Sequence, residues 1–199
     1  MIYLIRHAES VSNAGGKTMS DQENPLSETG RQQSVDLLQR IPEKPDLIIV
    51  SPYSRTQQTA EPLIGKYPDV PVEIWNVQEF TFLDTLRCKD TTHEERRIYR
   101  EEYLSKNDHD FVHGTGAESF NQMLQRVDDA LDRLKKMDEN KFIVIFTHGH
   151  FIRATLARNE RKNVTIEGVL RGTAIDNTDI IELAVMRDSA MQTDIVRKF

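Results

Sequence analysis

Three short apolar runs each give way to basic side chains, and this repetition constrains the fold more than any other feature of the chain. Met1 to Ile5 stops at Arg6-His7, Leu47 to Val50 is followed within a few residues by Arg55, and Phe142 to Phe146 by Thr147-His148. Runs of four or five residues rich in Ile, Val and Phe are short for helices and suit strands buried on both faces. Helical patterning lies between them, so strands and helices alternate. That is the pattern of an α/β fold with a largely parallel sheet. Parallel strands end on one edge of the sheet, and ligands bind outside those carboxyl ends. Arg6, His7, Arg55 and His148 are therefore expected to converge there.

The connecting stretches carry their own start and stop signals. Ser27 is placed to cap a helix with Glu28 in its first turn, presenting Val35, Leu38 and Ile41, and Pro42 and Pro45 end it. Ser51-Pro52 predicts a second helix start, running through Thr59-Ala60 towards Gly65. A short strand is expected over 72–77. Ser119 and Gln122 form a capping box ahead of Phe120, Met123, Leu124, Val127, Leu131 and Leu134 on one helical face. A helix is expected over 152–158, then two edge strands, 180–185 and 194–196, paired as a hairpin. Charges crowd residues 90–107, which lack strand character. The expected fold is a three-layer α/β/α single domain over 1–199, with 84–116 as a helical insertion capping the active-site edge.

A formal charge of -6 and a pI near 5.6 argue against a surface that coats nucleic acid. An anionic substrate would have to be drawn by a local basic pocket. Cys88 is the single cysteine, so no disulfide forms within the chain, and a packed thiol is the simpler expectation than a nucleophile. The apolar runs are far too short to cross a bilayer, and no secretory signal pattern is present, so a cytoplasmic protein without membrane partners is expected. Oligomeric state is left open.

Arg55 falls in the first turn of its predicted helix, where a cation opposes the helix dipole at a cost of some tenths of a kcal/mol. An anion between Arg55 and the helix terminus removes that conflict. The helix opening near Gly149 offers backbone amides to the same anion. Together these features point to a phosphoryl group.

Here the chain resembles a known family. Arg6-His7-Ala8-Glu9 with Asn13 is similar to the signature of the histidine phosphatase superfamily, the phosphoglycerate-mutase-like family. Ser51-Pro-Tyr-Ser-Arg-Thr-Gln-Gln-Thr-Ala60 resembles that family's second arginine motif, Thr147-His-Gly-His-Phe-Ile152 its second histidine motif, and Leu26-Ser-Glu-Thr-Gly30 a further marker. Ala8 departs from the glycine commonest in that place. The resemblance implies that His7 attacks phosphorus, that Arg6, Arg55 and His148 hold the phosphoryl oxygens with Asn13 as a further donor, and that no metal or other cofactor is needed. It also points to Glu79 as the general acid and base, with Glu9 and Asp84 as rivals. Burial beside Phe80 or Phe82 would raise the Glu79 pKa and the arginines would lower it.

The expected activity is hydrolysis of a phosphomonoester, most simply a small molecule, with a phosphoprotein still open. A cofactor-dependent phosphoglycerate mutase and an inactive phosphoryl-binding scaffold are the alternatives. Residues 84–116 and the loop 14–24 would set specificity. Plainer roles stand beside these. His150 either lines the pocket or is packed or solvent-facing. His109 and His113, spaced i, i+4, lack a third metal ligand of comparable quality and suit a solvated insertion. Arg87, Arg96, Arg97 and Arg100 could help bind an anionic substrate; mixed with Glu94, Glu95, Glu101 and Glu102, they more simply form a salt-bridged helical surface. Ser10 and Ser27 could touch phosphate, but a loop hydroxyl or a helix cap explains each as well.

Overall fold

Each apolar run becomes a strand whose alternate side chains serve two different cores. The computed structural model describes residues 1–18, 20 and 22–186. Strands β1 (Ile2–Arg6), β2 (Leu47–Val50), β3 (Val72–Ile74), β4 (Ile143–Thr147) and β5 (Ile180–Glu182) form one sheet in the order β3-β2-β4-β1-β5. The first four run parallel, and β5 closes the β1 edge antiparallel. Ile5, Ile48, Val50, Val144 and Phe146 point to one side, against Leu37, Ile41, Ala60 and Leu63. Leu4, Leu47, Ile49, Ile143 and Ile145 point to the other, against Phe120, Met123, Val127, Phe151 and Val169. With both faces covered, alternation of polar and apolar residues has no place in these strands. Each fully buried large aliphatic or aromatic side chain contributes about 1.5–3 kcal/mol.

The first side is built from α1 (Glu28–Asp36) and α2 (Ser54–Lys66). The second is built from α5 (Phe120–Lys135), α6 (Gly149–Asn159) and α7 (Ile166–Arg171), so the architecture is α/β/α. Between β3 and α5 run the short α3 (Thr85–Cys88) and α4 (Arg97–Lys106). The predicted caps at Ser27 and Ser119 are present: Ser27 Oγ accepts from Gly30 N, and Ser119 and Gln122 complete their capping box.

Several expectations fail for identifiable reasons. Ser51 does not cap α2, which begins at Ser54 behind Tyr53, because the Ser51 hydroxyl is bonded to His148 Nε2 at 2.8 Å. Val35 is half exposed; Ser34 and Leu37 face the sheet instead. The strand expected to reach Val77 stops at Ile74, where the chain turns so that Val77 N donates to Trp75 O at 2.8 Å. Of the predicted hairpin, β5 instead pairs with β1, and 194–196 lie outside the described residues. Arg96 and His113 are not on a solvated surface. Arg96 is 9% exposed, and the His113 side chain is 1% exposed, with Nδ1 accepting from Asp84 N at 3.2 Å. Arg97 does form the expected exposed pair with Glu94.

Candidate active site

The parallel register sets the site. Arg6 lies opposite Thr147 and Val50 opposite Phe146, so β1, β2 and β4 end level with one another. His7 follows β1 directly and is 3% exposed; its backbone N donates to Thr147 O at 3.0 Å. His7 Nδ1 is 2.7 Å from the Ala8 carbonyl, which only accepts, so this nitrogen bears the proton. Its Nε2 is then an acceptor, and Arg55 donates Nε–H to it at 3.1 Å. Burial first, then the cations Arg55 and Arg6, hold the His7 pKa well below the ordinary histidine value, against the opposing pull of the Ala8 carbonyl and Glu79. The imidazole is neutral, with its tautomer fixed.

His148 is fully buried beside His7, with ring centroids 5.1 Å apart. Burial, Arg55 and His7 depress its pKa as well. With Nε2 bonded to Ser51, its Nδ1 is buried without a hydrogen-bond partner among the described residues, as is Nε of Arg6. Such groups are costly to leave unpaired, and both stand beside His7 at the carboxyl edge of the sheet. Arg6 is itself anchored, its Nη1 donating to Ile175 O at 2.5 Å. Gly149 opens α6, so its amide is among those a helix leaves unpaired. Asn13, in the turn after β1, joins Arg6, His7, Arg55 and Gly149 in lining the cavity.

Glu79 faces this group from the chain after β3. Its Oε1 accepts from the His150 backbone N at 3.1 Å and lies 3.4 Å from His150 Nδ1. Burial raises the Glu79 pKa, but His150, His148 and Arg55 together outweigh it and hold the carboxyl well below its ordinary value. His150 therefore lines the pocket beside Glu79. Behind it, Arg126 pairs with Glu118 at 2.6 Å and donates to the carbonyls of Asn76 and Gln78 at 2.8 and 3.1 Å, fixing the segment that carries Glu79.

Both rival carboxylates are committed elsewhere. Glu9 Oε1 accepts from Ser27 Oγ at 2.5 Å. Asp84 caps α3 through Leu86 N and Arg87 N and also accepts from Thr115 N at 3.2 Å, closing the base of the 84–116 segment. The cavity, about 280 Å³, has Glu79 as its single carboxylate among the described residues. His93, Arg96 and Arg100 reach it from the 84–116 segment.

Residues 2–193 match the family model of the histidine phosphatase superfamily (branch 1). The chain belongs to that superfamily. A metal-independent phosphoserine phosphatase of Arabidopsis thaliana is 31% identical over 164 residues, covering 79% of this chain and 67% of that one. A probable phosphoglycerate mutase GpmB of Erwinia tasmaniensis is 28% identical over 153 residues, covering 74% and 69%. Among solved structures, an Entamoeba histolytica phosphoserine phosphatase mutant in complex with phosphoserine superposes with a TM-score of 0.71 at 27% identity, covering 90% of this chain and 87% of that one. An alpha-ribazole phosphatase from Shigella flexneri gives 0.67 at 25%, covering 84% and 82%.

The histidine phosphatase fold here also uses residues that sequence patterning passed over. Thr59 Oγ1 accepts from Ala8 N at 3.0 Å, and Ser51 engages His148. Arg96 donates to Thr18 Oγ1 at 2.5 Å and to Thr91 O at 3.1 Å, and Thr18 bridges to Thr91, so this buried cation ties the 84–116 segment to the loop after β1. Asn177 donates to the His7 carbonyl at 2.8 Å. Asn177 had a local signal, an Asp-Asn-Thr-Asp turn ahead of an apolar run, whereas the signal at Ser51 pointed to a cap.

Proposed function

We propose that the chain hydrolyses a small phosphomonoester through a phosphohistidine on His7, with Glu79 as general acid and then general base. The observation that carries this is the neutral His7 imidazole, its proton held on Nδ1 by Ala8 O and its Nε2 lone pair directed at Arg55. A nucleophile of this kind must be unprotonated at the attacking atom. In the first step Nε2 forms a bond to phosphorus as the ester P–O bond breaks, and the Glu79 carboxylic acid gives its proton to the departing oxygen. In the second, water attacks phosphorus, Glu79 takes its proton, and the N–P bond breaks to release inorganic phosphate. The imidazolium-like ring formed between the steps keeps its Nδ1–H on Ala8 O.

Arg6, Arg55, His148, Asn13 and the Gly149 amide hold the phosphoryl oxygens in this scheme, stabilising charge during in-line transfer. Against burial, His150 first, then His148 and Arg55, keep the Glu79 carboxyl below its ordinary value. A phosphoryl dianion beside Arg55 offsets part of that pull, and its own negative charge together with burial then favours the protonated acid that the first step requires. Residues 84–116 act as a cap on one folded unit, bringing Arg96 and Arg100 to a compact cavity that also has apolar walls at Phe80, Phe82, Leu83 and Leu170. Such a site suits a small anionic substrate, and the relatives named for phosphoserine accord with it.

Turnover of a panel of phosphorylated metabolites, with His7→Ala as the blank, tests the reading. Acid-labile, base-stable phosphate should appear on His7 during turnover. Equal slow phosphate release by wild type and His7→Ala would rule out the enzyme. A phosphoenzyme that passes its phosphoryl group to phosphoglycerate faster than to water would make the protein a mutase, as the GpmB relative is named.

A further inference from the structure

Residues 175–179 lie outside every motif discussed above, yet they grip the nucleophile's loop at five points. Ile175 O accepts from Arg6 Nη1 at 2.5 Å, Arg6 N donates to Asp179 O at 3.2 Å, and Thr178 N donates to Arg6 O at 3.0 Å. Asn177 Nδ2 donates to His7 O at 2.8 Å and to Asn13 Oδ1 at 3.3 Å. Thr178, next to it, holds a φ of 62°, a left-handed conformation that is strained for a β-branched residue. It is kept there by its own bond to Arg6 O and by Arg40, which donates to Thr178 O at 2.9 Å. The Asp176 N bond to Asp179 Oδ2, 2.6 Å, braces the same turn. Strain that the surroundings hold in place often accompanies a geometric task. Here it aims the Asn177 side chain.

The target is the Asn13 amide. Its Oδ1 accepts from Ser10 N at 3.2 Å and from Asn177 Nδ2, so both lone pairs of that oxygen are engaged. An amide held by its oxygen offers its NH₂ group on the other side, and Asn13 lines the cavity while Asn177 does not. We propose that Asn177 is a positioning residue for the phosphoryl pocket: it fixes the Asn13 amide so that Nδ2, and not Oδ1, meets the phosphoryl group. Without it, Ser10 alone opposes rotation of the amide, and a rotated Asn13 sets an acceptor against an anion. The inference rests on the phosphatase reading and on Asn13 as a donor within it.

A double-mutant cycle tests it, with kcat/KM for p-nitrophenyl phosphate and Tm measured on the full chain. Asn177→Ala should lower kcat/KM about tenfold in the wild-type background and less than about threefold in Asn13→Ala, while lowering Tm equally in both. A purely structural role predicts the same loss of activity in both backgrounds, and that result overturns the proposal. If Asn177→Ala does not fold, Asn177→Asp, which keeps the shape and loses the donor, takes its place. If Asn13→Ala matches wild type while His7→Ala is inactive, the proposal fails and the phosphatase reading stands. If His7→Ala turns over like wild type, the phosphatase reading itself fails.

Discussion

Arg55 Nε donates to the very nitrogen of His7 that is left without a proton, across 3.1 Å. The cation thereby keeps the imidazole neutral and marks the direction in which its lone pair points. In the proposed reaction Nε2 would exchange this bond for one to phosphorus, and the guanidinium would turn its donors to the phosphoryl oxygens. Lysine keeps the charge but not the planar fork. Arg55→Lys should therefore lower kcat by about 10²–10³-fold, the cost of one misplaced transition-state donor, with a smaller change in KM. Steady-state kinetics checks this. A variant within threefold of wild type in kcat would show that charge alone suffices.

The depressed histidines make stability fall with acid. His7 and His148 stay neutral in the folded protein below the pH at which an unfolded chain protonates them. Their contribution is complete above the unfolded value near 6.5 and is lost as pH falls from there towards the folded values, by about 1.4 kcal/mol per pH unit for each. Glu79, also depressed, adds loss in the same direction below the ordinary carboxylate range. Urea unfolding at pH 7.5, 6.0 and 5.0 should show this decline. His148→Gln should flatten it by about half; an unchanged slope would contradict the assignment.

Removing the proton donor should be felt in proportion to the leaving group's need. Glu79→Gln keeps the shape of the side chain and the acceptor facing His150 N, but gives up the acid. Hydrolysis of an alkyl phosphate should fall by about 10²–10⁴-fold. Formation of the phosphoenzyme from p-nitrophenyl phosphate, whose leaving group requires little protonation, should be nearly spared. A rapid-quench comparison of the two substrates decides, and equal losses would move the acid role to another residue.

Arg126 supports Glu79 from behind without joining the reaction. Its side chain is 13% exposed and that of Glu118 19%. Arg126→Met keeps an apolar stem of similar length but removes the guanidinium from over Phe151 and strands Glu118 and the carbonyls of Asn76 and Gln78, at a cost of about 3 kcal/mol. For a chain of this size the expected fall in Tm is about 6–12 °C, read by calorimetry. The companion variant Arg126→Met/Glu118→Leu should recover much of it.

What could be found in the sequence was whatever local patterning governs. The strands are short runs covered on both sides, and the cations after them follow from strand direction alone, so Arg6, His7, Arg55 and His148 were legible together. The capping box at Ser119 was equally local. Failures occurred where a distant partner outbid a local preference. Ser51 has the sequence of a cap, yet its hydroxyl serves a histidine 97 residues away. Arg96 sits in a charge-rich stretch that looks solvated, yet it is buried against Thr18 and Ser12, 78 and 84 residues back. Gly30 had the appearance of a mere marker beside a cap, but a Cβ there would lie 1.9 Å from Glu9 O, so α1 packs directly on the loop after His7.

The edge strand β5 and the turn before it also determine when the site can exist. Arg6 and His7 precede the residues that hold them by most of this sequence: Arg6 meets Ile175 across 169 positions and His7 meets Asn177 across 170. Contacts so remote in sequence form late, because the whole intervening chain must be available before they close. Throughout synthesis β1 therefore waits with open hydrogen-bonding edges, one for β4 and the other for β5. The motif is made well before its own support, and a nascent chain ending before residue 175 would contain His7 without the grip that holds it in place.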